Sequence, residues 1–384
     1  MAEKFKMLAK TLYGFEDLLA GELRALGASG VRTGVRCAFF EGDTGFMYKA
    51  NLNLRTALRV LKPLRDFRIN RADQLYDRIR EVDWNQILDP DMTFVVDTVL
   101  HSDLYSHSLF VSQKVKDAIV DQVREKTGRR PSVSVSRPDV RIHIHIQKQM
   151  AHLSLDSSGD SLHQRGYRSA TNIAPLNEVL AAGVLMMSGW RGQCDFLDPM
   201  CGSGTLPIEA AMIACNIPAN INRQHFGFQG WKDFDPVLYK RIFEASMKHV
   251  RDFPYRISGY DRAPSAIAKA RQNVENANLQ EYIALDQADF FQTAKKSENP
   301  LHLVCNPPYG QRLHIEPESF YGRVGDTLKQ HYPGTVAWLL LGDPEHVKQV
   351  GLRATRKIKL FNGNIESRLA RFDIYQGSKK ASKN

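Results

Sequence analysis

Leu301-His302-Leu303-Val304-Cys305-Asn306-Pro307-Pro308-Tyr309-Gly310 is the stretch around which the chain is organised. It opens as an alternating apolar run, a strand signal, and stops at two consecutive prolines. Asn306 therefore stands at the carboxyl end of a strand, where ligands and chemistry collect in open α/β sheets. Its amide oxygen has two lone pairs, and the proline peptide carbonyls at Pro307 and Pro308 add acceptors without donors. Tyr309 adds a flat face. The set suits an exocyclic amine held by acceptors, on a ring that stacks. A strand terminator with a chance Asn reads the same in isolation, so the surroundings must decide.

Working outward, strand and helix signals alternate from Ala174 onward, which implies a parallel sheet with helices on both faces. Pro175 to Met187 reads as the first helix, Cys194 to Asp198 as the first strand and Leu206 to Ala214 as the helix after it. Arg256 to Asp261 and Ala284 to Asp289 are further strands, with a helix over Ala266 to Asn276 between them. Thr335 to Leu341, Arg356 to Phe361 and Leu369 to Tyr375 supply three more, and the last two are expected to form an antiparallel hairpin at one edge. The stretch Ile217 to Tyr255 interrupts this alternation. Its Phe226, Phe228, Trp231 and Phe234, beside Arg223 and Lys232, suit a packed extra segment better than a cover over the site.

The turn after the first of these strands is Asp198-Pro199-Met200-Cys201-Gly202-Ser203-Gly204-Thr205. Gly202 and Gly204 let the backbone approach a ligand, and the helix that follows presents free N–H groups. No Gly-x-x-x-x-Gly-Lys is present, and Ile208 and Glu209 stand where a dinucleotide turn needs its third glycine. An acid and no lysine suit a cofactor with an amine-bearing or cationic end. Asp261, followed by Arg262, ends the next strand and is placed to accept from both hydroxyls of a ribose. Asp289 ends the third and can receive an adenine amine. Each Asp alone reads as a helix cap. Three acids at successive strand ends describe a pocket for S-adenosylmethionine, to which Asn306 also contributes.

The chemistry follows from that pocket. A sulfonium methyl is already activated, so the protein has to position an amine in line with it. Asn306 and the Pro307 carbonyl accept hydrogen bonds from the amine, and Tyr309 stacks on the base. A base within a duplex cannot reach such a pocket, so a flipped or unpaired nucleotide is implied. The sequence shows no dedicated general base.

The N-terminal half reads as two α/β units. In residues 3–60, Lys6 to Ala9 and Val35 to Glu41 are strand-like, and Phe15 to Leu26 and Thr44 to Asn53 are helical. Pro63 limits any helix over Leu54 to Asp66. In residues 67–156, Asp73 to Arg80 and Asp83 to Leu88 are short helices, Thr93 to Leu100 is a strand and Leu109 to Lys126 a helix. Val140 to Ile146 alternates strictly and reads as a half-exposed strand, with His143 and His145 on one face near phosphate rather than on a metal. Met150 to Asp156 is the next strand of a meander. Ser157 to Asn172 is polar and reads as a linker, in which Arg165, Tyr167 and Arg168 either contact substrate or cofactor or cover a junction.

Composition sets the bounds. The 384 residues allow two or three domains, and 43% apolar with 24% charged residues is ordinary for a soluble protein. The longest apolar candidate, Val179 to Trp190, falls short of the ~20 residues of a membrane span. The start has no signal-peptide pattern. Five cysteines without a Cys-x-x-Cys pair argue for a reducing cytoplasm and against a zinc ribbon. Residues 1–155 hold 24 Lys and Arg against 19 Asp and Glu, residues 156–351 hold 19 against 21, and residues 352–384 hold 9 against 2. A basic accessory half beside a neutral one fits a polyanionic partner, though solubility charge with a Lys-rich tail gives the same sums.

The Asp198–Thr205 turn, Asp261, Asp289 and Asn306-Pro307-Pro308-Tyr309 together resemble the class I S-adenosylmethionine-dependent methyltransferases of exocyclic amines. Ser112 to Arg168, with Gly128-Arg129-Arg130-Pro131, Pro138-Asp139-Val140, Leu155-Asp156-Ser157-Ser158-Gly159 and Arg165-Gly166-Tyr167-Arg168, resembles a THUMP domain running into its methyltransferase. Residues 1–60 then resemble the ferredoxin-like domain that precedes THUMP. The resemblance covers nearly the whole chain and is strongest to RlmL-type 23S rRNA guanine-N(2)-methyltransferases. It implies an α/β fold with a ferredoxin-like domain at 1–60, a THUMP domain at 61–156, a linker at 157–172, a Rossmann-like seven-stranded methyltransferase domain at 173–376 and a basic tail at 377–384. THUMP implies RNA, with Lys114, Arg129, Arg130, Arg141, Arg165 and Arg168 as candidate contacts. Fused relatives carry a second methyltransferase domain beyond this length, so one modification is expected here. The alternatives are DNA adenine-N(6) methylation, which shares Asn-Pro-Pro-Tyr, and a silent RNA-binding or ribosome assembly factor. No metal and no membrane partner is implied.

Overall fold

The computed structural model describes residues 3–169, 175–309 and 316–375. Gly310, part of the expected linker and the expected basic tail lie outside the described residues. The chain forms two compact units that do not follow sequence order. One holds the first strand, Leu19–Leu162 and Arg223–Ala245; the other holds Leu12–Leu18, His163–Asn222 and the described residues from Ser246 onward.

The first unit is one eight-stranded sheet. Its strands are β1 (Phe5–Thr11), β2 (Ser29–Gly34), β3 (Cys37–Gly42), β4 (Ala57–Arg68), β5 (Thr93–His101), β6 (Ser132–Val133), β7 (Val140–Gln147) and β8 (Met150–Asp156). They lie in the order β2-β3-β1-β4-β8-β7-β5-β6. β4 joins the two halves: its first residues pair with β1 and its later ones with β8. The division expected between residues 60 and 61 thus falls inside a strand. Pro63 sits where the β4–β8 register shifts, a bulge where its missing N–H removes no ladder bond. The helices are α1 (Glu16–Leu26), α2 (Thr44–Asn53), α3 (Gln74–Arg80) and α4 (Ser108–Thr127). α4 buries Val111, Val115, Ile119 and Val123 and ends on Gly128 at φ 72°, a left-handed position that suits glycine.

β7 differs from the expected half-exposed strand. It lies between β5 and β8, and His143 is buried. The Lys10 ammonium donates to His143 Nε2 at 2.8 Å, and burial pushes that imidazole down to about 3, so it stays neutral and accepts. His143 is therefore a satisfied interior histidine.

In the second unit, α5 (Glu178–Met187) and α6 (Thr205–Ala214) are buried on nearly all sides, as their apolar sequences require. A Cβ on Gly183 would meet the Phe15 ring at 2.1 Å, so the early segment Leu12–Leu18 packs directly on α5. Between α6 and the next strand the chain carries α7 (Pro236–Met247). There, Phe226, Phe228 and Trp231 are buried in the core of the first unit, and Phe228 stacks on Tyr48 at 4.4 Å. The interrupting stretch is thus a packed segment, as its aromatics suggest.

The second sheet runs β11 (Ile283–Gln287), β10 (Ile257–Asp261), β9 (Asp195–Asp198), β12 (Leu301–Cys305), β13 (Thr335–Leu341), β15 (Ile365–Ile374), β14 (Arg356–Asn362). The first five are parallel; β15 runs antiparallel to both β13 and β14. β9, β12 and β13 are buried almost end to end, the pattern of strands covered on both faces. The helices α8 (Pro264–Asn276), α9 (Pro317–His331) and α10 (His346–Gln349) complete the unit. The strand order reverses between β9 and β12, which puts the crevice beside Asp198 and Asn306.

Candidate active site

Asp198 and Asp261 end β9 and β10, Asp289 lies two residues past β11, and each closes its own turn. Asp198 accepts from the Met200 N–H at 3.2 Å, Asp261 from Ala263 at 2.9 Å and Asp289 from Phe291 at 3.1 Å. Such local bonds fix each carboxylate at the lip of the sheet. They leave lone pairs unused, since an ionised carboxylate can accept about four hydrogen bonds. The second oxygen of Asp261 accepts from the Gly202 N–H at 3.0 Å, which joins the β10 end to the turn after β9. The Ala288 N–H donates to the Asp261 carbonyl at 3.1 Å and brings Asp289 alongside.

The turn itself is tightly seated. Gly202 and Gly204 take φ of 55° and 82°, and a Cβ on Gly204 would press on Ala270 at 3.2 Å. Asn273 of α8 donates to the Ser203 carbonyl at 3.0 Å and accepts from the Ser169 N–H at 3.2 Å. Asn273 carries no motif, and only its polarity on an otherwise apolar helix face signals this bridge. Asp198 is 2% exposed, and burial, aided by Asp261, pushes its carboxyl up to about 8. The Cys305 thiol donates to it, linking the β9 end to the residue before Asn306. A cationic or ammonium-bearing ligand beside Asp198 would restore the carboxylate.

At the other end, Asn306 is half-buried and its Oδ1 has no hydrogen-bond partner among the described residues. A buried carbonyl oxygen left without a donor is costly, so a donor placed against it would be favourable. Pro307 is buried, and the Pro308 carbonyl accepts from the Tyr321 hydroxyl at 3.2 Å. The Tyr309 hydroxyl accepts from the Asn362 side-chain amide.

Three of the six basic residues expected at RNA are engaged inside the protein instead. Arg165 is fully buried; its Nε lies 3.3 Å from Glu209 Oε1 and its Nη1 donates to Asn220 at 3.0 Å. Tyr167 donates to the same Glu209 at 3.3 Å. Arg168 pairs with Glu178 at 2.8 Å and donates to Thr205 Oγ1 at 3.0 Å, at the first residue of α6. Arg141 pairs with Asp97 at 2.8 Å and is largely shielded. Arg165, Tyr167 and Arg168 of the expected linker are therefore part of an internal ionic network, because a planar guanidinium buried without a carboxylate would be prohibitive. Arg129 and Arg130 are exposed, with Arg129 paired to Asp91, and Lys114 lies 5.9 Å from the Phe110 ring.

The residues present fit S-adenosylmethionine. The acceptor set offers a buried acid to an amine-bearing end and Asp261 to paired hydroxyls, beside a glycine turn whose Gly204 is at a left-handed φ of 82°. Comparison with known proteins bears on the same point. Residues 6–61 match the RlmL ferredoxin-like domain, 70–156 the THUMP domain and 165–371 the RMKL-like methyltransferase domain. A ribosomal RNA large subunit methyltransferase K/L of Syntrophotalea carbinolica is 40% identical over 97% of this chain and 54% of its own length. The chain spans about half the length of the curated K/L relatives it matches. A Synechocystis protein assigned as an RNA methyltransferase is 35% identical over 94% of this chain and 95% of its own. A protein assigned as a methyltransferase and solved with S-adenosylhomocysteine superposes with a TM-score of 0.87 at 29% identity, covering 99% of this chain and all of that one. Turn, strand order and domain matches agree: the chain belongs to the RMKL-like family of S-adenosylmethionine-dependent methyltransferases.

Proposed function

We propose that the chain transfers a methyl group from S-adenosylmethionine to the exocyclic N2 amine of a guanine in RNA, with 23S rRNA, free or in an assembly intermediate, as the acceptor in the cytoplasm. The observation that carries the reading is the Oδ1 of Asn306, buried and without a hydrogen-bond partner among the described residues, at the switch point of the sheet and linked through Cys305 to Asp198. The cofactor supplies, when bound, a methyl group on a sulfonium that needs no further activation. Asp261 accepts from the ribose hydroxyls, Asp198 faces the amine-bearing end, and Asp289 receives the adenine amine, with Pro199 to Thr205 and Arg262 around them. Asn306 Oδ1 and the Pro307 carbonyl accept from the acceptor amine and hold its lone pair toward the methyl. Tyr309 stacks on a base that has left its helix. The released proton passes to solvent.

RNA is supported by the THUMP match and by the names of the K/L relatives. Guanine N2 follows the resemblance to RlmL-type enzymes. A second reading, adenine N6 in DNA, uses the same Asn306–Tyr309 chemistry. It draws on a Listeria monocytogenes protein predicted to be an N6-adenine-specific DNA methylase, 30% identical with a TM-score of 0.85 over 98% of this chain and 97% of that one. Asn306→Ala tests the role directly. It is expected to lower single-turnover transfer about 100-fold or more, the scale of a lost transition-state hydrogen-bonding group, while S-adenosylhomocysteine affinity by calorimetry is retained. Lost affinity with unchanged single-turnover chemistry contradicts the assignment.

A further inference from the structure

The Tyr309 ring is held by two residues far from it in sequence. Gly342 directly follows β13, the parallel neighbour of β12. A Cβ on Gly342 would lie 2.4, 2.6 and 2.9 Å from Cδ2, Cγ and Cε2 of Tyr309. Similar distances to three consecutive ring atoms put that point over the face of the ring, not beyond its edge. Gly342 is not in the left-handed region, so space alone demands glycine. One face of Tyr309 therefore lies against the Gly342 main chain with no room for a Cβ between them. At the far end of the ring, Asn362, the last residue of β14, donates its amide N–H to the Tyr309 hydroxyl. At the near end, Tyr321 holds the Pro308 carbonyl. Asn362 is itself fixed by pairing with Ile365 across the Gly363 turn, and its neighbour Phe361 meets the edge of Tyr13 at 5.4 Å.

We infer that Gly342 and Asn362 are positioning residues that make Tyr309 a one-faced stacking platform for the acceptor base. This rests on the reading of Asn306 to Tyr309 as the acceptor site. With one face against backbone, a base can stack on the opposite face only. With the hydroxyl pinned, the ring cannot swing about its Cβ and spoil the angle between the base and Asn306. The β14–β15 hairpin, which has no cofactor acid, thereby belongs to acceptor recognition. A side chain at 342 pushes the ring into the space a base needs. Loss of the Asn362 amide frees the ring without touching the cofactor turn.

The test is a double-mutant cycle on the full chain with unmodified 23S rRNA as acceptor. Tyr309→Phe and Asn362→Leu are each expected to lower kcat/KM for RNA about 5- to 10-fold, the scale of one hydrogen bond, and the double variant is expected to be no worse than either single one. Gly342→Ala is expected to lose more. S-adenosylhomocysteine affinity should stay within about twofold in all three, and Asn362→Gln should recover part of the loss. Additive losses, or a fall in cofactor affinity alongside the fall in kcat/KM, overturn the inference and mark a merely structural role. Tyr309→Ala separates the two readings. If it leaves transfer unchanged, the acceptor-site reading itself fails. If it abolishes transfer while Asn362→Leu and Gly342→Ala do not impair it, only the positioning role fails.

Discussion

The cofactor end and the acceptor end of the candidate site are built in different ways. At the cofactor end, Asp198, Asp261 and Asp289 each bond to a backbone N–H two residues on, and the glycine turn lies between the first two. At the acceptor end, Asn306 has an acceptor left unfilled among the described residues, and Tyr309 depends on Gly342 and Asn362, the latter 53 residues away. One end is preorganised by the chain's own local geometry. The other is assembled from the ends of three strands and, among the described residues, leaves the Asn306 oxygen open for the donor that the proposed acceptor amine would supply. The contrast suits a cofactor of fixed shape at one end and a base that must be captured from a larger polymer at the other.

The largest effect expected concerns what lies beneath the cofactor turn. Arg165→Met removes one partner of a fully buried ion pair and leaves Glu209 charged in the core, which should cost about 3–5 kcal/mol of stability in chemical denaturation. If the cofactor end is locally built, the protein that remains folded should still bind S-adenosylhomocysteine and RNA within about threefold of the original. A selective loss of RNA affinity with intact stability would return Arg165 to the RNA surface.

A smaller effect is expected from Asp261→Ala, which removes both the ribose acceptor and the anchor of the Gly202 N–H. It should weaken S-adenosylhomocysteine by about 10- to 100-fold in calorimetry, as two hydrogen bonds to a charged group imply. Stability should fall little, because the turn keeps Gly204 and Asn273. Unchanged affinity would break the assignment of this end to the cofactor.

The smallest effect is one of pH. Asp198 has its folded carboxyl raised to about 8 by burial, above its unfolded range, so the folded protein holds a proton that the unfolded chain releases. Its contribution is complete below the unfolded value and is lost as pH rises through about 8. Between about pH 7 and pH 8, above the range in which the buried His143 and His302 give the opposite slope, the ligand-free protein should therefore lose thermal stability as pH rises. Asp198→Asn should flatten that slope, and saturating S-adenosylhomocysteine, whose ammonium favours the carboxylate, should reduce it. An identical slope in Asp198→Asn would remove Asp198 as its source.

What the sequence revealed follows the same division. Asp198, Asp261 and Asn306 were legible because each is a polar residue at the end of a short strand-like run, and Pro199 and Pro307 stop the chain directly after Asp198 and Asn306. The parallel order was legible because strand and helix periods alternate. Gly342 and Asn362 were not, since nothing within a few residues of either distinguishes a ring-packing glycine from a turn. Arg165 and Arg168 stood among the candidate RNA contacts, or as cover for a junction, because they lie in a polar stretch, and their carboxylate partners lie outside it on α6 and α5. His143 misled for a similar reason: strict alternation marks two faces, but it does not say that Lys10 closes over one of them. The exchange of Leu12–Leu18 and Arg223–Ala245 between the two units is likewise invisible to periodicity. It has a practical consequence. Deleting residues 1–155 removes Phe15 from α5 and uncovers Phe226, Phe228 and Trp231, so RNA binding is better probed with substitutions in the intact chain.

The most direct measurement of the central claim is labelled methyl transfer by the intact chain to 23S rRNA from a strain lacking this gene, followed by nucleoside mass spectrometry. The account predicts label in N2-methylguanosine, abolished by Asn306→Ala. Label in N6-methyladenosine, transfer to DNA in preference to RNA, or transfer by Asn306→Ala at the rate of the unaltered chain would contradict it.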